Sequence, residues 1–273
     1  MLSSVEVRTA AGTLLTLSLE DVSDGVILAD IEGLDPVKAI ISSSSFATLD
    51  GVQYQSSRRE ARNLIFKLDL EPDYSLDTVQ DIRFRLYEFF MPKLPVSMKF
   101  IDSGDLIVDI DGRVESCGAP PFTKEPKMNI SVICPLPDFI DLTPVELTGD
   151  TVDDTTETLI HYTGSVPSGM IFTLNVDRTI DDLTLFHRAP DNTIRTFELS
   201  VSMIADDVLT INTVPGSKAV TLTRGGTVSS VIYGKSDESS WFSLERGDNY
   251  IRAFAEGDPI PWEISYLNRY DGL

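Results

Sequence analysis

Cysteine is nearly missing from this chain. Cys117 and Cys134 are the only two in 273 residues, too few for a disulfide scaffold, and their spacing fits no zinc pattern. Both stand beside apolar runs and read as buried, reduced thiols, which suits synthesis in a reducing cytoplasm. Histidine is as scarce: a metal centre or a histidine-dependent triad would need both His161 and His187 together with distant carboxylates. Neither a metal nor a cofactor is expected. No apolar run approaches the ~18 to 20 residues that span a bilayer, and the opening MLSSVEVRT lacks a basic leader region, so no membrane insertion and no secretory leader are expected. P-loop, dinucleotide-glycine, HExxH and GxSxG motifs are all absent.

Cations are also in short supply. With 43 acidic and 22 basic residues the net charge is −21, which excludes a general phosphate-binding surface because such surfaces need clustered cations. Most of these carboxylates are expected to be solvated. Catalysis by carboxylates alone remains conceivable, since glycoside hydrolysis requires only two well-placed acids, but nothing in the spacing singles out a pair.

What is present is a mainly β, two-domain protein. The length suits two ordinary domains, and the composition, 42% hydrophobic and 24% charged, is that of a globular chain. Strand-like alternation runs through Val5 and Val7, Leu15 to Leu19, Val37 to Ile41, Leu64 to Leu68, Val96 to Ile101, Leu106 to Ile110, Val114 to Cys117 and Asn129 to Cys134. Ser103-Gly104 and Asp111-Gly112 are expected to turn hairpins. One segment changes period: Leu76, Val79, Ile82, Leu86 and Phe89 recur every three or four residues, predicting one amphipathic helix within 75–91, capped by Ser75 and stopped by Pro92. Pro135, Pro137 and Pro144, followed by the polar stretch TGDTVDDTTET, place a boundary between residues 140 and 155. The expected domains are 1–145, a β-sandwich or barrel with the helix, and 146–273, an all-β sandwich.

In the second domain Phe172, Leu174 and Val176 alternate with Thr173 and Asn175, and Val220 and Leu222 with Thr221 and Thr223. Trp241 and Trp262, with Tyr233, Tyr250 and Tyr266, admit two readings: an aromatic surface on which a sugar ring stacks, or core and edge packing. Arg246-Gly247-Asp248 spells an adhesion tripeptide, but a strand turn accounts for it.

The densest information lies between Ile31 and Phe66. Two apolar runs flank a turn at Asp50-Gly51, and Arg58, Arg59, Arg62 and Asn63 cluster just before the next strand of an otherwise acidic protein. Gly33-Leu-Asp-Pro36, this cluster, the helix end Leu86-Tyr-Glu-Phe-Phe-Met-Pro92, and the runs Ile110 to Cys117 and Phe122 to Pro126 resemble the N-terminal domain of phage distal tail proteins. Ile160-His-Tyr-Thr-Gly164, Val208 to Thr213, Gly216-Ser-Lys218, Trp241-Phe-Ser-Leu244 and Tyr266 to Tyr270 resemble their C-terminal domain. The order of these pieces carries the resemblance more than any one of them.

That resemblance implies a structural virion protein at the tip of a long tail, assembled in the host cytoplasm. Its N-terminal domain would close a homohexameric ring continuing the tail tube, and its C-terminal domain would be galectin-like, similar to a carbohydrate-binding module. The implied partners are further copies of the chain, the tail tube protein, the tail hub protein, and fibres or receptor-binding proteins, with DNA passing the lumen unbound. Arg58, Arg59, Arg62 and Asn63 are then candidates for the protomer interface, Arg offering a planar, bidentate contact to a neighbour's carboxylate. Asp102, Asp105, Asp109 and Asp111 are candidates for a repulsive lumen wall. A sugar-binding protein using Trp241 and Trp262 is the alternative function, and a carboxylate hydrolase the third.

Overall fold

The computed structural model describes residues 2–273 apart from 20, 23, 48–49, 103–106, 121–125 and 153–155. The chain forms two compact units, one of residues 1–142 with 270–273 and one of residues 143–269.

In the first unit the strands are β1 (Leu2–Thr9), β2 (Leu14–Ser18), β3 (Val26–Glu32), β4 (Ala39–Ser44), β5 (Gln53–Arg59), β6 (Arg62–Leu70), β7 (Pro95–Asp102), β8 (Ile107–Gly118), β9 (Lys127–Cys134) and β10 (Phe139–Asp141), with one helix, α1 (Val79–Phe90). The main sheet runs β2-β1-β7-β8-β9-β6-β3 in antiparallel register, and β10 pairs with β8. Period-two alternation supplies its core. Leu64, Phe66 and Leu68 of β6 stand opposite Val132, Ile130 and Met128 of β9, and all six are buried. Helix α1 lays Ile82, Leu86, Phe89 and Phe90 into the same core.

Two local expectations are overturned. The helix starts at Val79, with Thr78 as its cap, because Ser75 is already engaged: its N–H and hydroxyl both donate to Asp73 Oδ1, at 2.9 and 2.6 Å. Thr78 and Asp81 form a reciprocal capping box, Thr78 N donating to Asp81 Oδ2 at 2.9 Å. Thr78→Ala should therefore lower stability by about 1 kcal/mol, measured by urea unfolding; an unchanged midpoint would show that the cap contributes nothing. Asp111-Gly112 is not a turn either. Residues 107–110 and 114–117 belong to one strand, β8, in which Asp111 pairs with Ser97 and Gly112 with Val96. Gly112 lies inward, where a Cβ would stand 2.5 Å from Val132 Cγ1, so this glycine lets β9 approach instead of bending the chain. The Ser103-Gly104 turn and most of the Phe122 to Pro126 run lie outside the described residues.

The second unit is a two-sheet sandwich. Its strands are β11 (Val145–Asp150), β12 (Thr158–Tyr162), β13 (Met170–Asn175), β14 (Ile180–Arg188), β15 (Ile194–Met203), β16 (Val208–Asn212), β17 (Ala219–Arg224), β18 (Thr227–Ser230), β19 (Gly247–Phe254) and β20 (Pro261–Tyr266). One sheet is ordered β11-β20-β13-β16-β17-β18 and the other β12-β19-β14-β15. Phe172, Leu174, Leu209, Ile211, Val220 and Ile264 of the first share one buried core with Ile160, Leu185, Phe197, Leu199 and Ile251 of the second. The protein is mainly β with one α-helix among the described residues.

Candidate assembly surface

Among the described residues, strands β4 and β5 pair only with each other, from Ala39 opposite Arg59 to Ser44 opposite Gln53, and form a sheet separate from the main one. A two-stranded ribbon has no interior, so its apolar side chains stay in water: Ile41 is 65%, Val52 69% and Tyr54 62% exposed, and Ile40 and Phe46 are exposed as well. Isolated ribbons of this kind are marginal in water, and clustered exposed apolar groups mark surfaces that another molecule covers. The turn and the first apolar run were legible in the sequence, but the polar strand β5 that pairs with it was not. Nor was the exposure, because an alternating run looks the same whether or not a core awaits it.

The four interface candidates separate at the hairpin's foot. Arg58 is exposed on β5, opposite Ile40. Arg59 pairs with two carboxylates of its own unit, Asp138 at 2.5 Å and Asp271 at 2.8 Å. Desolvation works against its charge, but the hydrogen bonds to Asp138 and Asp271 prevail and its pKa is raised. Arg62 is 1% exposed and, among the described residues, donates to the carbonyls of Gly33, Asp35, Pro137 and Asp271 of its own unit, so it does not reach across to a neighbouring copy. Burial lowers its pKa, opposed by the nearby Asp271 charge. Asn63 faces outward beside Ser131, whose Oγ lies 2.8 Å from Asn63 Oδ1. Asp138 and Asp271, remote in sequence, are the partners that sequence reasoning missed.

Asp105 lies outside the described residues. Asp102 ends β7, and Asp109 and Asp111 point away from the core on β8. Asp109 is half-buried; Ser97 Oγ donates to it at 2.9 Å, and Ile110 N at 3.0 Å. Its pKa is raised because desolvation outweighs those hydrogen bonds. The same outward face carries Arg8 and Lys99, with Lys99 3.4 Å from Glu6. It is a face of mixed sign, not a continuous acidic one.

In the second unit Trp262 is 2% exposed, its ring 5.8 Å from that of Phe172 and so close to the β11 backbone that a Cβ on Gly149 would lie 2.3 Å from it. It offers no face to a sugar, which corrects that candidate. Trp241 is half-buried against Phe197, ring centroids 5.2 Å apart, with Lys218 Nζ 5.6 Å from the ring. His161 sits on the surface, 2.7 Å from Asp248, whereas His187 is fully buried, stacks on Phe242 and donates from Nε2 to Asn249 Oδ1 at 3.1 Å. No group of three or more His, Cys, Asp or Glu residues able to hold a metal occurs among the described residues. Both thiols are free; burial pushes Cys117 up to about 11 and Cys134 up to about 12, far from the nucleophilic range.

Burial holds the pKa of His187 below its ordinary value; the Asn249 hydrogen bond opposes this, Arg195 lowers it further, and Glu245 and Asp191 raise it. Unfolding frees the ring to bind a proton at its usual pKa of about 6.5. Below that pH the unfolded state holds more protons than the folded one, so stability falls as the pH drops. The slope is at most about 1.4 kcal/mol per pH unit from this group. Urea unfolding of parent and His187→Gln at pH 7.5 and 5.5 isolates the contribution: the parent should lose more stability than the variant, and equal losses would contradict it.

Residues 163–270 match the family profile of the siphovirus-type tail component, C-terminal domain. Among solved structures, the crystal structure of SPP1 Dit (gp 19.1), titled a paradigm of hub adsorption apparatus in Gram-positive infecting phages, matches over 97% of this chain and 98% of its own, with 14% identity and a TM-score of 0.69. A chain of the phage P2 baseplate in its activated conformation with Ca matches over 100% of both chains, with 10% identity and a TM-score of 0.45. No curated protein matches. No helix among the described residues is long and apolar enough to cross a membrane. The chain has the SPP1 Dit fold and its residues 163–270 match the siphovirus-type tail component profile, which bears out the resemblance to phage distal tail proteins read from the sequence.

Proposed function

We propose that the chain is a structural, non-enzymatic component of a phage tail tip, assembled in the host cytoplasm, that closes into a homohexameric ring between the tail tube and the hub. The observation that carries this reading is the β4–β5 hairpin. A ribbon with Ile41, Val52 and Tyr54 in water and no core of its own is stabilised when a second copy covers it. Contact of hairpin on one copy with body on the next is heterologous, and such a contact closes a ring when its rotation permits. The tube protein, the hub protein and host-recognition fibres are the proposed neighbours in the virion.

In this reading the N-terminal unit forms the ring, and the C-terminal unit is a sandwich compatible with a galectin-like domain. If the outward face of β7 and β8 lines the lumen, Asp102, Asp109 and Asp111 share it with Arg8 and Lys99, so any repulsion of passing DNA would come from the carboxylates in excess of these cations. The sugar-binding alternative is weakened by the burial of Trp262. Electron micrographs of the purified protein test the proposal: sixfold rings are expected, and fields of single particles with no ring at any concentration would contradict it.

A further inference from the structure

The hairpin has no packing of its own, so its direction depends on how its two stems are held. Arg62 holds the first stem, and Arg59 anchors the end of the second. Arg62 Nε donates to Pro137 O at 2.7 Å, Nη1 to Asp35 O at 2.8 Å and also to Gly33 O, and Nη2 to Asp271 O, while the group lies 4.4 Å from the Phe139 ring centroid. Residues 33 and 35 lead into the hairpin; Arg59, its last residue, is tied to Asp138 and Asp271. Asp138 is itself buried, 4% exposed. Between the stems Glu60 N donates to Lys38 O at 3.0 Å. Gly33 permits the approach: its φ is +93°, and a Cβ there would stand 2.1 Å from Asn63 O.

Three segments distant in sequence, 33–35, 137–138 and 271, thus converge on two arginines. Only a planar fork can donate to four carbonyls in different directions; lysine supplies three donors from a single point. We infer that Arg62 and Arg59 form a clamp that fixes how the hairpin projects, making them positioning residues for assembly even though Arg62 is buried within its own chain. Fixing the hairpin beforehand removes ordering cost from docking. The inference rests on the proposed role of the hairpin as the contact between copies.

The test uses the full chain in the Ile41→Asp/Tyr54→Asp background, so that hydrogen exchange reports the hairpin and not its contact. Adding Arg62→Lys, Arg59→Gln or Asp138→Asn should speed amide exchange in Ala39–Ser44 and Gln53–Arg59 by at least about tenfold, with β6 and β9 interiors exchanging at the parental rate. In the parental background Arg59→Gln should raise the concentration needed for assembly by at least about tenfold. Should Arg62→Lys fail to fold, the other two substitutions carry the test. Unchanged hairpin exchange in both Arg59→Gln and Asp138→Asn overturns the clamp. If the background variant itself assembles like the parent, the contact reading fails instead, while its exchange data still decide whether the clamp exists.

Discussion

Ile41→Asp/Tyr54→Asp is expected to yield a folded single chain under conditions in which the parent is expected to assemble into rings. Both side chains stand in water in the isolated protein, 65% and 62% exposed, and substitutions at such sites typically change stability by no more than about 0.5 kcal/mol. In an assembled ring the same positions would be covered. Each apolar side chain withdrawn from water contributes about 1.5 to 3 kcal/mol, so losing two removes about 3 to 6 kcal/mol per contact, or roughly 10² to 10⁴ in association constant. Burying the introduced carboxylates without partners adds to the loss. Sedimentation velocity with circular dichroism checks both halves. A variant that assembles like the parent would show that the hairpin is not the contact, and a variant that unfolds would show that it packs within its own chain.

Trp262→Ala should produce the largest loss of stability, about 3 to 5 kcal/mol, against the 5 to 15 kcal/mol typical of a whole domain. The ring is 2% exposed, lies beside Phe172 and fills the space that Gly149 leaves on β11. Differential scanning calorimetry should show the transition of the second unit falling to lower temperature. A variant with parental stability and weakened binding to a glycan array would contradict this and revive the sugar-binding reading.

Much of this architecture was legible in side-chain period alone. Strands such as β6, β7, β9, β13 and β15, the turn chemistry of Asp50-Gly51 and the helix face of Ile82, Leu86 and Phe89 follow from alternation, from turn residues or from three-and-four spacing, whereas β3, β5, β10 and β11 carried no such signal. Three features were hidden because they depend on partners far along the chain. Leu76 fits the helical period but is 82% exposed, since Asp73 recruits Ser75 into a local turn. Asp111-Gly112 has turn chemistry, yet Gly112 serves the close packing of β9 against β8. Arg62 reads as a surface cation in sequence, and only the fold brings the carbonyls of Gly33, Asp35, Pro137 and Asp271 around it. The site divides in the same way. The turn and the arginine cluster could be found by inspection, while the burial of Arg62 and the pairing of Arg59 required residues 137, 138 and 271 to arrive from distant parts of the chain.

The central claim, that this chain is a ring-forming tail component, is tested most directly by its mass in solution. Multi-angle light scattering across a concentration series should reveal a species six times the mass of the single chain, dominant at the highest concentration and dissociating on dilution. A single-chain mass at every concentration would contradict the account.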